Sequence, residues 1–398
     1  MEGGTMRLRG CFTVLWGPRE FYLAIAVGLW LGGYFFASGW EHRQAFRWLL
    51  PIVVLNGDLL VKTFRETRWL WLVTALLGYQ ALSRLWSGGS ERISNPADLA
   101  MVFLLLVALV TIGRKEGAGT IITGVLAILC AGVTLYSLVV YYGEDSHQLA
   151  GHRLRNVLVY EEGLNPVLTG MLCAFGAVAA VWFLRRDDWW PFRGGWGLAL
   201  AVLVFGLMMA ESRGALLSAG VGLTVLAFFL RRSIWPAVAT IGVSVAAYLV
   251  ILFSIGDGGG LIERGSTGRV EIYKWFLERT SLRDVVIGRG MSAEVTIAEE
   301  ELGWFVHHPH SAYLTQFLLT GVLGLGLMLL VIGWASRSAL VEARRKDVLW
   351  LALLASGTVA LIFDCGQMFS VYSAPRIEFL LVLVPAALVI GKNGVEEQ

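Results

Sequence analysis

Two groups of residues have the types and spacing for chemistry. The first is His307-His308-Pro309-His310-Ser311, which sets three of the chain's six histidines immediately before an apolar run. Imidazole changes charge near neutrality, so such a cluster can act as a metal ligand, a proton relay or a general base. The second group is three arginines, each beside glycine: Ser212-Arg213-Gly214, Gly268-Arg269 and Gly288-Arg289-Gly290. A guanidinium grips phosphate oxygens at two points, and a neighbouring glycine lets backbone amides approach the same anion. Loop arginines can equally be solvated or meet anionic lipid headgroups. Arg213 stands apart because it interrupts an apolar run, where a charge is costly.

Several chemistries lack their residues. A metal site could use His308 and His310 with a carboxylate from Glu299, Glu300 or Glu301, but no third ligand has a recognised spacing. No two aspartates stand in an Asp-x-Asp pattern, and no glycine-rich Lys-Ser/Thr phosphate loop exists, so a nucleotide substrate is not supported. The sequence calls for no cofactor and no resident metal. Cys11, Cys130, Cys173 and Cys365 have no paired spacing and read as small apolar residues rather than disulfides.

The elements that must position these residues are membrane helices. Of the 398 residues 56% are hydrophobic and 16% charged, and mean hydropathy is +0.66, where soluble domains carry roughly 25% charged residues. A net charge of +2 gives no sign of a nucleic-acid partner. A helix needs about 20 apolar residues to cross the hydrocarbon. That rule predicts an all-α polytopic fold of about twelve spans, near 20–39, 45–61, 69–86, 97–113, 118–142, 165–184, 196–211, 213–230, 235–255, 312–335, 347–364 and 375–391. Residues 196–230 form one apolar run that would be about 52 Å long as a single helix, against a core of about 30 Å. It must break, and Glu211-Ser212-Arg213-Gly214 is its polar point. Arg7, Arg9 and Arg19 precede the first span, which reads as an uncleaved helix rather than a signal peptide.

With the N-terminus inside, the inner segments hold 18 Lys and Arg and the short outer ones 8. Both termini are therefore expected in the cytoplasm, with Arg213 and the histidines facing outward. The chain divides into spans one to nine (1–255), a large outer loop (256–311), which is periplasmic if the membrane is a bacterial inner membrane, and spans ten to twelve with a tail (312–398). Within the loop Val270, Tyr273, Trp275, Phe276 and Leu277 recur near helical spacing, which predicts a short amphipathic helix capped by Ser266 or Thr267.

In order, "ESRGALLS", "TGRVEIYKWF…VVIGRGM" and "HPHSAYLTQFLLTGVLG" resemble the three hallmark segments of the bacterial O-antigen ligase and polymerase superfamily. The last is the most specific: His310-Ser311, nine residues, Gly321, two residues and Gly324 complete the family's ligase motif. The span layout and the large loop resemble the family too, whereas residues 1–150 add only generic hydrophobicity. The resemblance implies an inner-membrane glycosyltransferase working on the periplasmic face. It would move a glycan from undecaprenyl diphosphate to a sugar hydroxyl of lipid A–core, with inversion and without metal or nucleotide. By motif position His310 carries over as catalytic base and Arg213 and Arg269 as diphosphate binders, with Arg289 third. His307 and His308 read as loop or supporting residues rather than a second base, with His308 counted on the substrate-binding side. The expected partners are the lipid-linked donor, the lipid A–core acceptor and membrane lipids.

A repeat-unit polymerase would use the same donor and chemistry, and a protein O-oligosaccharyltransferase is a third member of the same class. Compact length and the complete His-Ser motif favour the ligase. A transporter, from a different class, should show repeated halves and broken helices at midplane. No halves match, and Asp58 and Asp364 are the candidate midplane acids. Pro309 is expected to keep the backbone between His308 and His310 extended, so that their rings diverge.

Overall fold

The computed structural model describes residues 17–36, 39–87, 96–144, 152–158, 165–186, 190–230, 268–306, 308–363, 366 and 377–394. The expected ninth span (235–255), the start of the large loop with Ser266 and Thr267, His307, Asp364, Cys11 and Cys365 lie outside them.

Among the described residues the regular structure is helical, apart from one antiparallel bridge between Ile297 and Val306. The helices are α1 (Pro18–Phe36), α2 (Gly39–Leu55), α3 (Gly57–Glu66), α4 (Arg68–Ser83), α5 (Pro96–Gly113), α6 (Ala118–Val139), α7 (Pro166–Arg186), α8 (Trp190–Met209) and α9 (Arg213–Leu230). After the undescribed stretch come α10 (Arg269–Glu278), α11 (Leu282–Ile287), α12 (Glu299–Leu302), α13 (Ala312–Arg344), α14 (Leu349–Ala360) and α15 (Val384–Asn393), the last preceded by a π turn over Phe379–Leu383.

Five of these segments are long and apolar enough to cross a membrane: Ala118–Gly143, Pro166–Arg186, Phe192–Met209, Arg213–Leu230 and Ala312–Arg344. Three shorter apolar helices join them, Leu99–Gly113, Leu349–Ala360 and Phe379–Asn393. The expected span 45–61 is divided: α2 ends at Leu55, and Asn56 starts α3 as its N-cap. The side-chain amide of Asn56 donates back to the Ile52 carbonyl at 2.8 Å, a local bond that competes with helix continuation.

The apolar run 196–230 breaks where its length requires. α8 stops at Met209, α9 starts at Arg213, and Glu211 between them has a left-handed φ of 46°. α9 and α14 then pack closely through small residues one turn apart, Ser218 and Gly222. Ser218 Oγ donates to the Ser356 carbonyl at 2.8 Å, and a Cβ on Gly222 would meet Ser356 Cβ at 3.0 Å. α7 lies at the centre, buried along almost its whole length.

The described part of the large loop has a core of its own. Ile272, Phe276, Met291, Val295, Ile297 and Val306 bury together against Leu318 and Leu319 of α13. The predicted amphipathic helix is α10, but its cap is Gly268, with φ 72°. Its inward residues are Ile272 and Phe276, one turn apart, with Tyr273 and Trp275 at the margin. Val270 and Leu277, expected on the same face, are exposed because they point to the other side of the helix.

Candidate active site

Three helix N-termini meet around residues 361–363, just past the end of α14. At the start of α9, a Cβ on Gly214 would lie 2.6 Å from Phe363, so only glycine lets that ring lie on the first turn after Arg213. At the start of α10, the Arg269 guanidinium lies over the same ring, 5.6 Å from its centroid. One turn on, the Tyr273 hydroxyl donates to the Ile362 carbonyl at 3.3 Å. At the start of α13, the Ala312 N–H donates to the Leu361 carbonyl at 2.9 Å, and the Tyr313 hydroxyl donates to the Thr358 carbonyl at 2.9 Å. Arg213, Arg269 and His310-Ser311, far apart in sequence, thus head three helices that share one anchor.

Each helix start adds field as well as placement. First-turn N–H groups lack helical partners, and the aligned peptide dipoles amount to about half a positive charge at each N-terminus. Ser212 accepts from Ala215 N–H at 3.3 Å and Ser311 from Leu314 N–H at 3.4 Å, one side-chain cap each. α10 has no side-chain cap, since Gly268 has none to offer and instead lets the Trp304 ring approach closely. The Arg269 guanidinium and the three converging helix starts, one of them opened by Arg213, are features that favour an anion.

The histidine pair differs from expectation. The rings of His308 and His310 do not diverge; their centroids are 4.4 Å apart, with the planes tilted by 49°. The reason lies in His310, whose φ of 54° turns the chain back on itself. The turn lets the His310 N–H donate to His308 Nδ1 at 3.1 Å. Pro309 is buried and His310 half-buried. His308 therefore acts on His310 through its backbone.

Arg289 has partners of its own. Its Nη2 donates to the Arg279 carbonyl at 3.1 Å, and its Nε lies 3.9 Å from Asp284. Its backbone N–H donates to Leu318, and that of Gly290 to Leu319, at 2.9 and 2.8 Å. Those carbonyls are free because α13 breaks at Gly321, with φ 64° and ψ −168°. Leu318 is six residues into α13, about 9 Å along its axis from Ala312. Gly288-Arg289-Gly290 thus serves as a backbone clamp on the broken helix, held from α4 and the turn after it by Tyr79, Ser83 and Trp86. Glycine at 321 is required because a Cβ would fall on the Val286 carbonyl. Gly324, the last residue of the motif, faces Thr320 of its own helix.

Glu301, one of the carboxylates considered for a metal site, accepts from Trp275 Nε1 at 3.0 Å and Arg279 Nη2 at 2.9 Å. These bonds tie α12 to α10. Phe363 carried no signal in the sequence beyond closing an apolar run, and its role emerges only when α9, α10 and α14 are assembled.

Residues 198–329, about a third of the chain, match the model of the family described as O-antigen ligase. That match supports membership of the O-antigen ligase superfamily. No curated protein matches the chain. The matched stretch begins in α8 and ends in α13, so it contains Arg213, Arg269, Arg289, His308 and His310. The anchor for the three helix starts, Leu361 to Phe363, lies beyond it. A superfamily of glycan ligases and polymerases acts on lipid-linked glycans, and a corner that favours an anion, with a histidine beside it, fits such a substrate.

Proposed function

We propose that the protein is an O-antigen ligase that transfers a glycan from undecaprenyl diphosphate to a sugar hydroxyl of lipid A–core. The observation that carries this reading is the meeting of three helix N-termini, headed by Arg213, Arg269 and His310-Ser311, around residues 361–363. In this reading the bundle lies in the inner membrane with both termini cytoplasmic and the site on the periplasmic face.

Arg213 and Arg269, with the first-turn amides, neutralise the diphosphate as it leaves. His310 takes the proton from the acceptor hydroxyl. The acceptor oxygen bonds to the anomeric carbon as the bond from that carbon to the diphosphate oxygen breaks. The electron pair departs with the diphosphate, and the anomeric configuration inverts. Arginines supply the charge that a divalent cation would otherwise provide, and the diphosphate linkage supplies the driving force, so neither metal nor nucleotide is required. Arg289 supports the site from the clamp on α13, and His308 holds His310 on the acceptor side.

Deletion of the gene followed by gel analysis of lipopolysaccharide tests the assignment. A ligase mutant keeps complete core without polymer. A core bearing a single repeat unit would instead identify a polymerase, and an unchanged ladder would remove both readings.

A further inference from the structure

The short stretch 152–158, between α6 and α7, lies outside the region matched to the family and contains two arginines, Arg153 and Arg155. It is fastened at nearly every residue. The Tyr142 hydroxyl donates to the His152 carbonyl at 2.7 Å. The Leu154 N–H donates to the Met209 carbonyl at 2.8 Å, and the Leu154 side chain is fully buried beside Tyr141 and Met209. The Asn156 N–H donates to Thr169 Oγ1 at 2.9 Å, and the Asn156 side chain caps the Leu158 N–H at 2.9 Å. A strap bound this firmly fixes the origin of whatever side chain it presents.

It presents Arg153 to the break between α8 and α9. Arg153 Nε donates to the Ala210 carbonyl at 3.0 Å, at the C-terminal end of α8, where carbonyls lack helical partners and the dipole favours a cation. The next residue, Glu211, holds the left-handed φ of 46°, which residues other than glycine seldom adopt. Two residues later Arg213 opens α9. A non-glycine residue stays in such a conformation only where its surroundings over-determine it, and the bonds at Met209 and Ala210 do so here.

We infer that Arg153 is a positioning residue: by capping Ala210 it holds the 210–212 turn closed and so aims Arg213 at the diphosphate. This rests on the proposed role of Arg213, although the turn can be tested without any substrate.

The experiment compares Arg153→Met, which keeps the stem and loses the donor, with Arg153→Lys, whose ammonium can still cap a carbonyl. The first readout is maleimide labelling of purified protein carrying Ser212→Cys, measured against protein with Ser212 intact. Ser212 is buried, so the thiol introduced there should label slowly in the parent. It should label about tenfold faster or more in Arg153→Met, the scale of losing a charge-assisted hydrogen bond, and slowly again in Arg153→Lys. The second readout is transfer from undecaprenyl-diphosphate glycan. Arg153→Met should lower kcat/KM about tenfold, and Lys should restore most of it. In an Arg213→Ala background Arg153→Met should add less than about twofold, since residues acting through one another are not additive.

Unchanged labelling in Arg153→Met overturns the inference whatever the activity. So does full additivity with Arg213→Ala, or a failure of Arg153→Met to fold, which would make Arg153 a stability residue. Slow labelling with lost activity in Arg153→Lys would mean that the guanidinium meets the diphosphate itself. Absence of transfer in the parent protein would refute the proposed function while leaving the labelling result to decide the turn.

Discussion

Replacing Gly321 by alanine should damage the protein through its backbone, without touching any reacting group. Gly321 holds φ 64° and ψ −168°, a region essentially reserved for glycine, and forcing another residue into it costs about 1–3 kcal/mol. The new Cβ would also fall on the Val286 carbonyl and close to Ile287 N. These are backbone atoms of α11, which cannot rotate away as a side chain would. Relief requires α11 and the clamp behind it to retreat, weakening the bonds from Arg289 and Gly290 to Leu318 and Leu319. Two backbone hydrogen bonds are worth about 1–3 kcal/mol together. The expected loss is therefore about 2–6 kcal/mol, a large part of a typical folding free energy of about 5–15 kcal/mol. Gly326 supplies the control within the same helix: nothing lies within 4 Å of a Cβ there. Alanine should be neutral at 326, or stabilising by up to about 1 kcal/mol from helix propensity. Thermal unfolding of purified protein in detergent, with transfer activity in parallel, should separate the two variants clearly. If Gly321→Ala melts with Gly326→Ala and transfers glycan normally, α13 is not broken and clamped as described.

His310→Ala should lower transfer about 10²- to 10⁴-fold, the usual cost of a lost general base, while insertion and melting stay normal; activity at the parent level would remove His310 from the chemistry. His308→Ala should cost only about fivefold, the worth of one hydrogen bond of about 1 kcal/mol. His308→Asn should recover it, because asparagine can accept the N–H two residues on; failure of Asn to improve on Ala would show that the ring itself is needed. Arg213→Lys and Arg269→Lys should each lose about 10²-fold or more in single-turnover transfer, since lysine lacks the planar two-point contact. Arg289→Lys should tolerate the change far better, and the reverse ranking would move the diphosphate site. Transfer by purified protein should persist in excess EDTA without nucleotide, and a loss restored by Mg²⁺ or Mn²⁺ would refute neutralisation by arginine alone.

What the sequence determined by itself is what depends on neighbours along the chain. The apolar run 196–230 is too long for a membrane, so the break at Glu211–Arg213 followed from length and one polar interruption. The amphipathic spacing after Gly268 announced α10, though not its inward face, because burial there is decided by Leu318 and Leu319 of a helix still to come. The types His, Arg and Gly at motif spacing marked the residues to watch.

Tertiary structure decided which of them meet. Phe363 joins the starts of α9 and α10 through a ring contact that no local pattern encodes. The clamp on the broken α13 pairs residues 289 and 290 with 318 and 319, and Arg153 reaches Ala210 across 57 positions. The two histidine rings came together through a single left-handed residue, a conformation that sequence favours only weakly outside glycine. Such pairings arise where close packing leaves one partner within reach of an otherwise unsatisfied N–H, carbonyl or guanidinium, and that choice exists only once the helices are assembled.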